Sequence, residues 1–280
     1  MRILHVAMGM PEFDRAAIDR GHYISRFEWK KQKSLHTALL EKVFRFKPDV
    51  AFFQIQKPNI IKHETLEALR KEGIFTVNWT GDVREDITWY KEAAPYFGVT
   101  LFTNQTDVDT LTSEGFRADF LQIGYDDTIY RYEERKRAGV VFLGNNYINR
   151  YPESKRRRQI VEHYMKKGLD AYGIGFPKRF TIAAKEVLIY QKASYALNID
   201  HFNRPRFYSD RVLRAQACGA IICQMSDVPM EDHPFALYGY PKGQEMPPSY
   251  HKMIAEYTRD NHTWRNRIDD LTKIIEKWAK

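Results

Sequence analysis

The stretch Ser209-Asp210-Arg211-Val212-Leu213-Arg214-Ala215-Gln216-Ala217-Cys218-Gly219-Ala220-Ile221-Ile222 can bind an anion. It reads as loop, helix, glycine turn and buried strand. A helix amino terminus leaves backbone N–H groups without partners, and these suit a bound phosphate. Arg211 adds a planar fork of donors that matches phosphate oxygens. The same residues also suit a plain helix–strand joint. A second candidate lies in Trp79-Thr80-Gly81-Asp82-Val83-Arg84. Asp82 follows an apolar run, and a carboxylate there can take the proton of a hydroxyl as general base. A structural contact between Asp82 and Arg84 is the competing reading. The candidate catalytic residues are therefore Asp82 and Arg211.

Other motifs carry less. Asp107-Val108-Asp109 spells an Asp-X-Asp metal signature, but it sits at an expected helix start, where acidic residues favour the helix dipole. No metal is expected. Gly173-Ile174-Gly175 lacks the third glycine of a dinucleotide fingerprint and reads as a turn. His5, His63 and His201 have no partner pattern and read as packed or solvated. Lys155-Arg156-Arg157-Arg158 reads first as a solvated helix face, with anion contact as the alternative.

The elements that must position these residues alternate. Apolar runs at 3–8, 50–55, 74–79, 99–103 and 118–123 read as strands. Helices are expected at 31–46, 64–71 and 106–113, with an irregular loop-and-helix segment at 14–29. Alternating strands and helices imply a parallel sheet covered on both faces. Ligands of such sheets gather at the strands' carboxyl ends. Those ends carry Gly9, Gln54, Gln56, Trp79, Gly81, Asp82, Arg84 and Asn104. The second half repeats the plan. Strands are expected at 139–143, 170–175, 195–200 and 220–223, and helices at 152–167, 181–190, 251–257 and 263–280. The charged segment 130–136 reads as a linker or solvated helix.

At 280 residues, with 43% hydrophobic and 14% aromatic residues, the chain can build two cores. No run approaches the length of a membrane span, and the amino terminus is too short and polar-flanked for a signal peptide. Two cysteines, Cys218 and Cys223, suit a reducing cytoplasm. The net charge of +8 suggests a basic face for nucleic acid, a sugar nucleotide, or solubility alone.

In its order of motifs the chain resembles the GT-B glycosyltransferases, above all the bacterial and phage group related to the CgeB spore-maturation protein. The resemblance rests on Asn78 to Arg84, Phe102-Thr103-Asn104, Phe142-Leu143-Gly144-Asn145-Asn146-Tyr147, Tyr172-Gly173-Ile174-Gly175, Leu197-Asn198-Ile199-Asp200, Ser209-Asp210-Arg211 and Ala217-Cys218-Gly219-Ala220. It covers nearly the whole chain. It implies two Rossmann-like domains with parallel sheets facing across a cleft: 1–124 for the acceptor, with Gly9, Trp79, Gly81, Arg84 and Asn104 on that side, 139–280 for the nucleotide sugar, and 125–138 as linker. It implies a nucleotide-sugar donor, a UDP-sugar first, held by Gly144, Asn145, Gly173, Asn198, Asp200, Ser209, Asp210, Arg211 and Arg214. Charge on the leaving diphosphate would be stabilised by a helix amino terminus and an arginine, without a metal.

One departure matters. Many retaining members carry two glutamates eight positions apart, the second four residues before the Cys-Gly pair. Here those positions hold Arg206 and Arg214. Arginine cannot accept hydrogen bonds from ribose hydroxyls. Three functions follow: a glycosyltransferase with an unidentified acceptor, a transferase acting on hydroxymethylated DNA bases, or a non-catalytic binding protein. The net charge, the 155–158 run, Arg204, Arg206 and Arg214 favour a polyanionic acceptor. Trp79, Trp89, Tyr90 and Tyr96 offer stacking surfaces for bases.

Overall fold

The computed structural model describes residues 1–179, 183–241, 243 and 245–279. It divides into two compact units, 1–123 with 264–280, and 124–263. The expected division near residue 124 had kept 139–280 together, whereas the contacts group the last helix with the first unit.

In the first unit the chain runs β1 (Arg2–Val6), α1 (Pro11–Asp19), β2 (Tyr23–Phe27), α2 (Leu35–Phe46), β3 (Val50–Phe53), α3 (His63–Lys71), β4 (Phe75–Trp79), α4 (Thr88–Ala93), β5 (Val99–Phe102), α5 (Gln105–Ser113) and β6 (Ala118–Phe120). The six strands form one parallel sheet in the order β2-β1-β3-β4-β5-β6. Strands β3 and β5 are buried throughout, which is why they read as continuous apolar runs. On one face Leu4, Val6, Phe53 and Ile55 pack with Leu39, Val43, Leu66 and Leu69. On the other, Ile3, Phe52, Val77 and Trp79 pack with Phe13 and with Trp264, Ile268, Leu271 and Ile275.

The second unit runs β7 (Val140–Leu143), α6 (Ser154–Met165), β8 (Asp170–Tyr172), α7 (Ala183–Lys192), β9 (Tyr195–Asn198), α8 (Asp210–Ala217), β10 (Ile221–Gln224), β11 (Leu237–Tyr238) and α9 (Pro248–His262). Its parallel sheet has the order β11-β10-β9-β7-β8. The last helix, α10 (Trp264–Trp278), belongs to the first unit. Its stripe Trp264, Ile268, Leu271, Ile275 has helical spacing and closes the first core.

Segment 14–29 departs from the expected loop and helix. Pro11 starts α1 at a permitted first-turn position, and the edge strand β2 follows. Only Phe27 of β2 is buried, so no apolar run announces the strand. The two-residue strand β11 and the short α4 also had no periodic signal. Segment 130–136 is not helical. The first two residues of the expected helix 181–190 lie outside the described residues, and α7 runs from Ala183. Among the described residues no helix is long and apolar enough to cross a membrane.

Because α10 completes the first core, Leu271→Ala should cost that unit about 2–5 kcal/mol, the usual penalty for a buried leucine cavity. Urea unfolding followed by tryptophan fluorescence measures it. A loss within experimental error would remove α10 from the core.

Candidate functional site

The second unit assembles its polar residues at the carboxyl ends of β7 and β9. Strand β7 ends at Leu143, and Gly144 follows. The Gly144 N–H donates to the Tyr172 carbonyl at 2.9 Å. A Cβ at Gly144 would strike the Arg157 guanidinium and lie 3.1 Å from Arg211 Nη1. Gly173 has φ of +137°, and a Cβ there would collide with the Gly144 carbonyl. These two glycines let the loops after β7 and β8 meet and leave room for both arginines. Asn145 ties the loops: its Oδ1 accepts from the Ile174 N–H at 3.0 Å, and its Nδ2 donates to the Tyr147 hydroxyl at 3.0 Å.

Arg157 lies in the first turns of α6 and is only 2% exposed. Its Nε, Nη1 and Nη2 are all buried and have no hydrogen-bond partner. The guanidinium carbon stands 4.9 Å from the centre of the Phe142 ring, and that of Arg211 stands 5.8 Å from it. Burial, and then the charge of Arg211, push the Arg157 pKa down to about 8. Arg211, in the first turn of α8, has one distant carboxylate, Asp200 Oδ1 at 3.8 Å, and its Nε is buried without a partner. Burial raises the Asp200 pKa, although Arg211, Asn198 and Arg157 oppose the shift. Asp200 accepts from Asn198 Nδ2 at 2.7 Å and from the Ser209 N–H at 3.3 Å. Ser209 stands at the N-cap of α8, yet its buried hydroxyl caps nothing and has no partner. His201 is pushed down to about 3 by burial and by Arg157 and Arg211, and its buried Nε2 is unpartnered.

Two guanidiniums thus stand at the Phe142 ring with unsatisfied nitrogens, and the Ser209 hydroxyl and His201 Nε2 of the neighbouring loop are unpartnered as well. An unpaired buried ion costs several kcal/mol, so such an arrangement calls for a bound anion. The structure brings together Gly144, Asp200, Ser209 and Arg211 with Arg157 and His201, which sequence reading had set aside. The only signal for Arg157 was its place in the 155–158 run. Within that run Arg156 bonds the Met225 carbonyl at 2.9 Å and Arg158 pairs with Glu162 at 2.7 Å.

Arg214 and Asp210 are not part of this cluster's open valences. Arg214 pairs with Asp210 at 2.6 Å and with Glu186 at 3.5 Å, and lies over the Tyr130 ring at 5.2 Å. Burial opposes its charge, but Asp210 and Glu186 outweigh it and hold the pKa above its ordinary value. Asn198 bridges β9 to β10 by donating to Gln224 Oε1 at 2.8 Å.

In the first unit the expected acceptor residues lie at strand carboxyl ends, but their accessibility differs. Trp79 is 2% exposed and donates its indole N–H to the Leu121 carbonyl at 2.8 Å, so it is a core residue that no ligand can stack on. Tyr90 is buried as well. Asn104 is buried and spent as the N-cap of α5, accepting from the Asp107 N–H at 3.0 Å and donating to Asp107 Oδ2 at 2.7 Å. That pairing also explains Asp107 as a helix-start residue. Gly9 shapes the turn after β1, with φ of +83°. Gly81 shapes a tight turn in which the Asp82 N–H donates to the Thr80 carbonyl at 2.6 Å. The Asp82 side chain is 52% exposed and lies 3.6 Å from Arg84, whose Nη2 donates to Gln56. The expected Asp82–Arg84 contact is therefore present, in an exposed carboxylate. Buried His5 holds Asp14 at 2.6 Å through Nδ1, and Arg26 pairs with the other Asp14 oxygen. No linear pattern marks that triad. Among the described residues no group of three or more His, Cys, Asp or Glu could hold a metal.

Arg157→Leu should raise the melting temperature of the ligand-free protein, because replacing a buried unpaired charge by an apolar side chain is commonly neutral or stabilising by about 1–4 kcal/mol. The same variant should lose diphosphate binding. Differential scanning fluorimetry with and without UDP reads both effects. A variant that is destabilised and still binds UDP would make Arg157 a structural residue.

No protein-family model matches the chain, and no curated protein matches it. Solved structures do. Sucrose-phosphate synthase from Thermosynechococcus elongatus matches over 99% of this chain and 98% of its own, at 8% identity and a TM-score of 0.62. An alpha-glucosyltransferase in complex with UDP and a 13-mer DNA containing an HMU base matches over 99% and 95%, at 11% identity and a TM-score of 0.58. UDP-GlcNAc 2-epimerase from Neisseria meningitidis, bound to UDP-GlcNAc, matches over 99% and 100%, at 11% identity and a TM-score of 0.52. Identities this low speak for the fold alone, and that fold serves both transfer and epimerisation. With two Rossmann-like units built on parallel sheets of six and five strands, the chain has the GT-B fold.

Proposed function

We propose that the chain is a glycosyltransferase using a nucleoside-diphosphate sugar, of the group related to the CgeB protein. The observation that carries this reading is the Arg157 guanidinium, buried with every nitrogen unpartnered beside Arg211. A diphosphate supplies the missing acceptors. UDP is the first nucleotide to test, since UDP-GlcNAc is bound in the epimerase and UDP in the alpha-glucosyltransferase.

The reaction breaks the bond between the sugar's anomeric carbon and the diphosphate oxygen, and the electron pair goes to the diphosphate. Arg157, Arg211 and the first N–H groups of α8 stabilise that charge, so we assign the site no metal. The acceptor oxygen forms the new bond and gives its proton to a base. Asp82, an exposed carboxylate at a strand carboxyl end, is our candidate for the base. The buried thiols Cys218 and Cys223 are unpaired, in keeping with a reducing cytoplasm.

A modified DNA base as acceptor is the second reading. The net charge and the likeness to a DNA-bound alpha-glucosyltransferase favour it. Burial of Trp79 and Tyr90 removes two of its expected stacking surfaces. A DNA acceptor requires duplex affinity that falls steeply with salt, because counterions are released on binding. Absence of duplex binding at low salt would eliminate this acceptor while leaving the transferase intact.

Slow hydrolysis of one sugar nucleotide from a panel is the expected signature of the enzyme. Arg211→Ala should reduce that rate by about 100- to 1,000-fold with the fold retained, since the lost group stabilises leaving-group charge. If no donor is hydrolysed and UDP still raises the melting temperature, the chain is a binding protein. Hydrolysis unchanged in the variant would take Arg211 out of the site.

A further inference from the structure

A cavity of about 440 Å³ opens at the opposite, amino-terminal edge of the first sheet. It lies where β4, β5 and β6 begin. Phe75, Tyr96, Phe97, Phe116 and Trp278 supply aromatic walls, and Arg70 and Arg117 stand among them. The cavity is built by specific packing. Tyr96 is held by a stack on His63 with ring centres 4.0 Å apart. Phe75 lies against Gly98, where a Cβ would come within 2.5 Å of the ring. Trp278 is anchored by its indole N–H, which donates to Asp119 Oδ2 at 3.1 Å.

Both arginines are exposed, and neither pairs with a carboxylate of the described residues. The Arg70 guanidinium has no partner among the described residues. Arg117 donates to the Trp278 carbonyl at 3.2 Å and stands 5.7 Å from the Trp278 ring centre. The neighbouring acids are taken: Asp119 pairs with Lys277 at 2.8 Å, and Glu114 pairs with Lys91. Two exposed guanidiniums free of carboxylates, beside aromatic walls, match a ligand with a flat ring and an anionic group. The ring stacks and the anion takes the guanidinium fork. The volume suits a molecule of nucleotide size or smaller.

We propose that this cavity is a binding site for a small aromatic phosphate or carboxylate, separate from the anion site of the second unit. It uses none of the residues assigned to the donor, and of the acceptor-side residues only Tyr96, one of the surfaces expected to stack on a DNA base.

All five tryptophans, at positions 29, 79, 89, 264 and 278, lie in the first unit, so labelling with 5-fluorotryptophan reads this site without reporting on Arg157 or Arg211. Trp278→Phe assigns the resonance. Phenyl phosphate added to the full chain should shift the Trp278 fluorine signal saturably, with a Kd near ~1 mM or below, as expected of a fragment-sized ligand. Cyclohexyl phosphate and inorganic phosphate should bind about tenfold more weakly, because they lack the stacking ring. The double variant R70Q/R117Q should weaken phenyl phosphate by a similar factor. Equal shifts with inorganic phosphate, an unchanged affinity in the double variant, or no movement of the Trp278 signal would each overturn the proposal. Should the double variant fail to fold, the phenyl against cyclohexyl comparison in the parent protein decides.

Discussion

A guanidinium buried without a partner is the constraint around which the second unit is built. Arg157 could have been paired at the surface, as Arg158 is with Glu162 on the same helix, or paired under partial cover, as Arg214 is. Instead its three nitrogens are enclosed, and the neighbouring charge that acts on it most strongly, Arg211, has the same sign. The folded chain tolerates this only because other terms are large: a closed core beneath it and aromatic support from Phe142. Natural proteins keep such costs where a ligand repays them. Gly144 and Gly173 follow from the same constraint, since a side chain at either would fill the space the arginines and loops need.

The arginine at the position usually held by a glutamate is explained by local pairing. Arg214 neutralises two carboxylates, Asp210 and the buried Glu186, and Glu186 also accepts from the Tyr130 hydroxyl at 2.9 Å. Arg214 thus has its own countercharges, and Arg211 is the α8 arginine that stands with Arg157 at the Phe142 ring. In the proposed transferase, recognition of the ribose would rest on residues other than Arg214.

Much of the fold was legible in the sequence because parallel strands buried on both faces are apolar runs. Strands β1, β3, β4, β5, β7, β9 and β10 all announce themselves this way. Two edge strands do not, since β2 buries one residue of five and β11 none, whereas the edge strands β6 and β8 fall within expected runs. The assignment of α10 to the first core was invisible, because an amphipathic stripe says that a helix is buried and not what buries it. At the candidate site, the places of Arg211 and Gly144 were legible through a helix start and a glycine after a strand, and their roles there stay with the proposal. Arg157 was not, since its run of cations looks the same whether it faces water or the core. Trp79 and Asn104 erred the other way. Their places at strand ends suggested ligands, while the structure spends them on a backbone carbonyl and a helix cap. His5 needed partners from α1 and β2, which only folding brings near.

The most direct test of the account is a crystal structure of the chain with UDP. The account predicts diphosphate oxygens within hydrogen-bond distance, about 2.7–3.2 Å, of both the Arg157 and Arg211 guanidiniums and of the first N–H groups of α8. Well-ordered UDP bound elsewhere, with Arg157 still unpartnered, would contradict it.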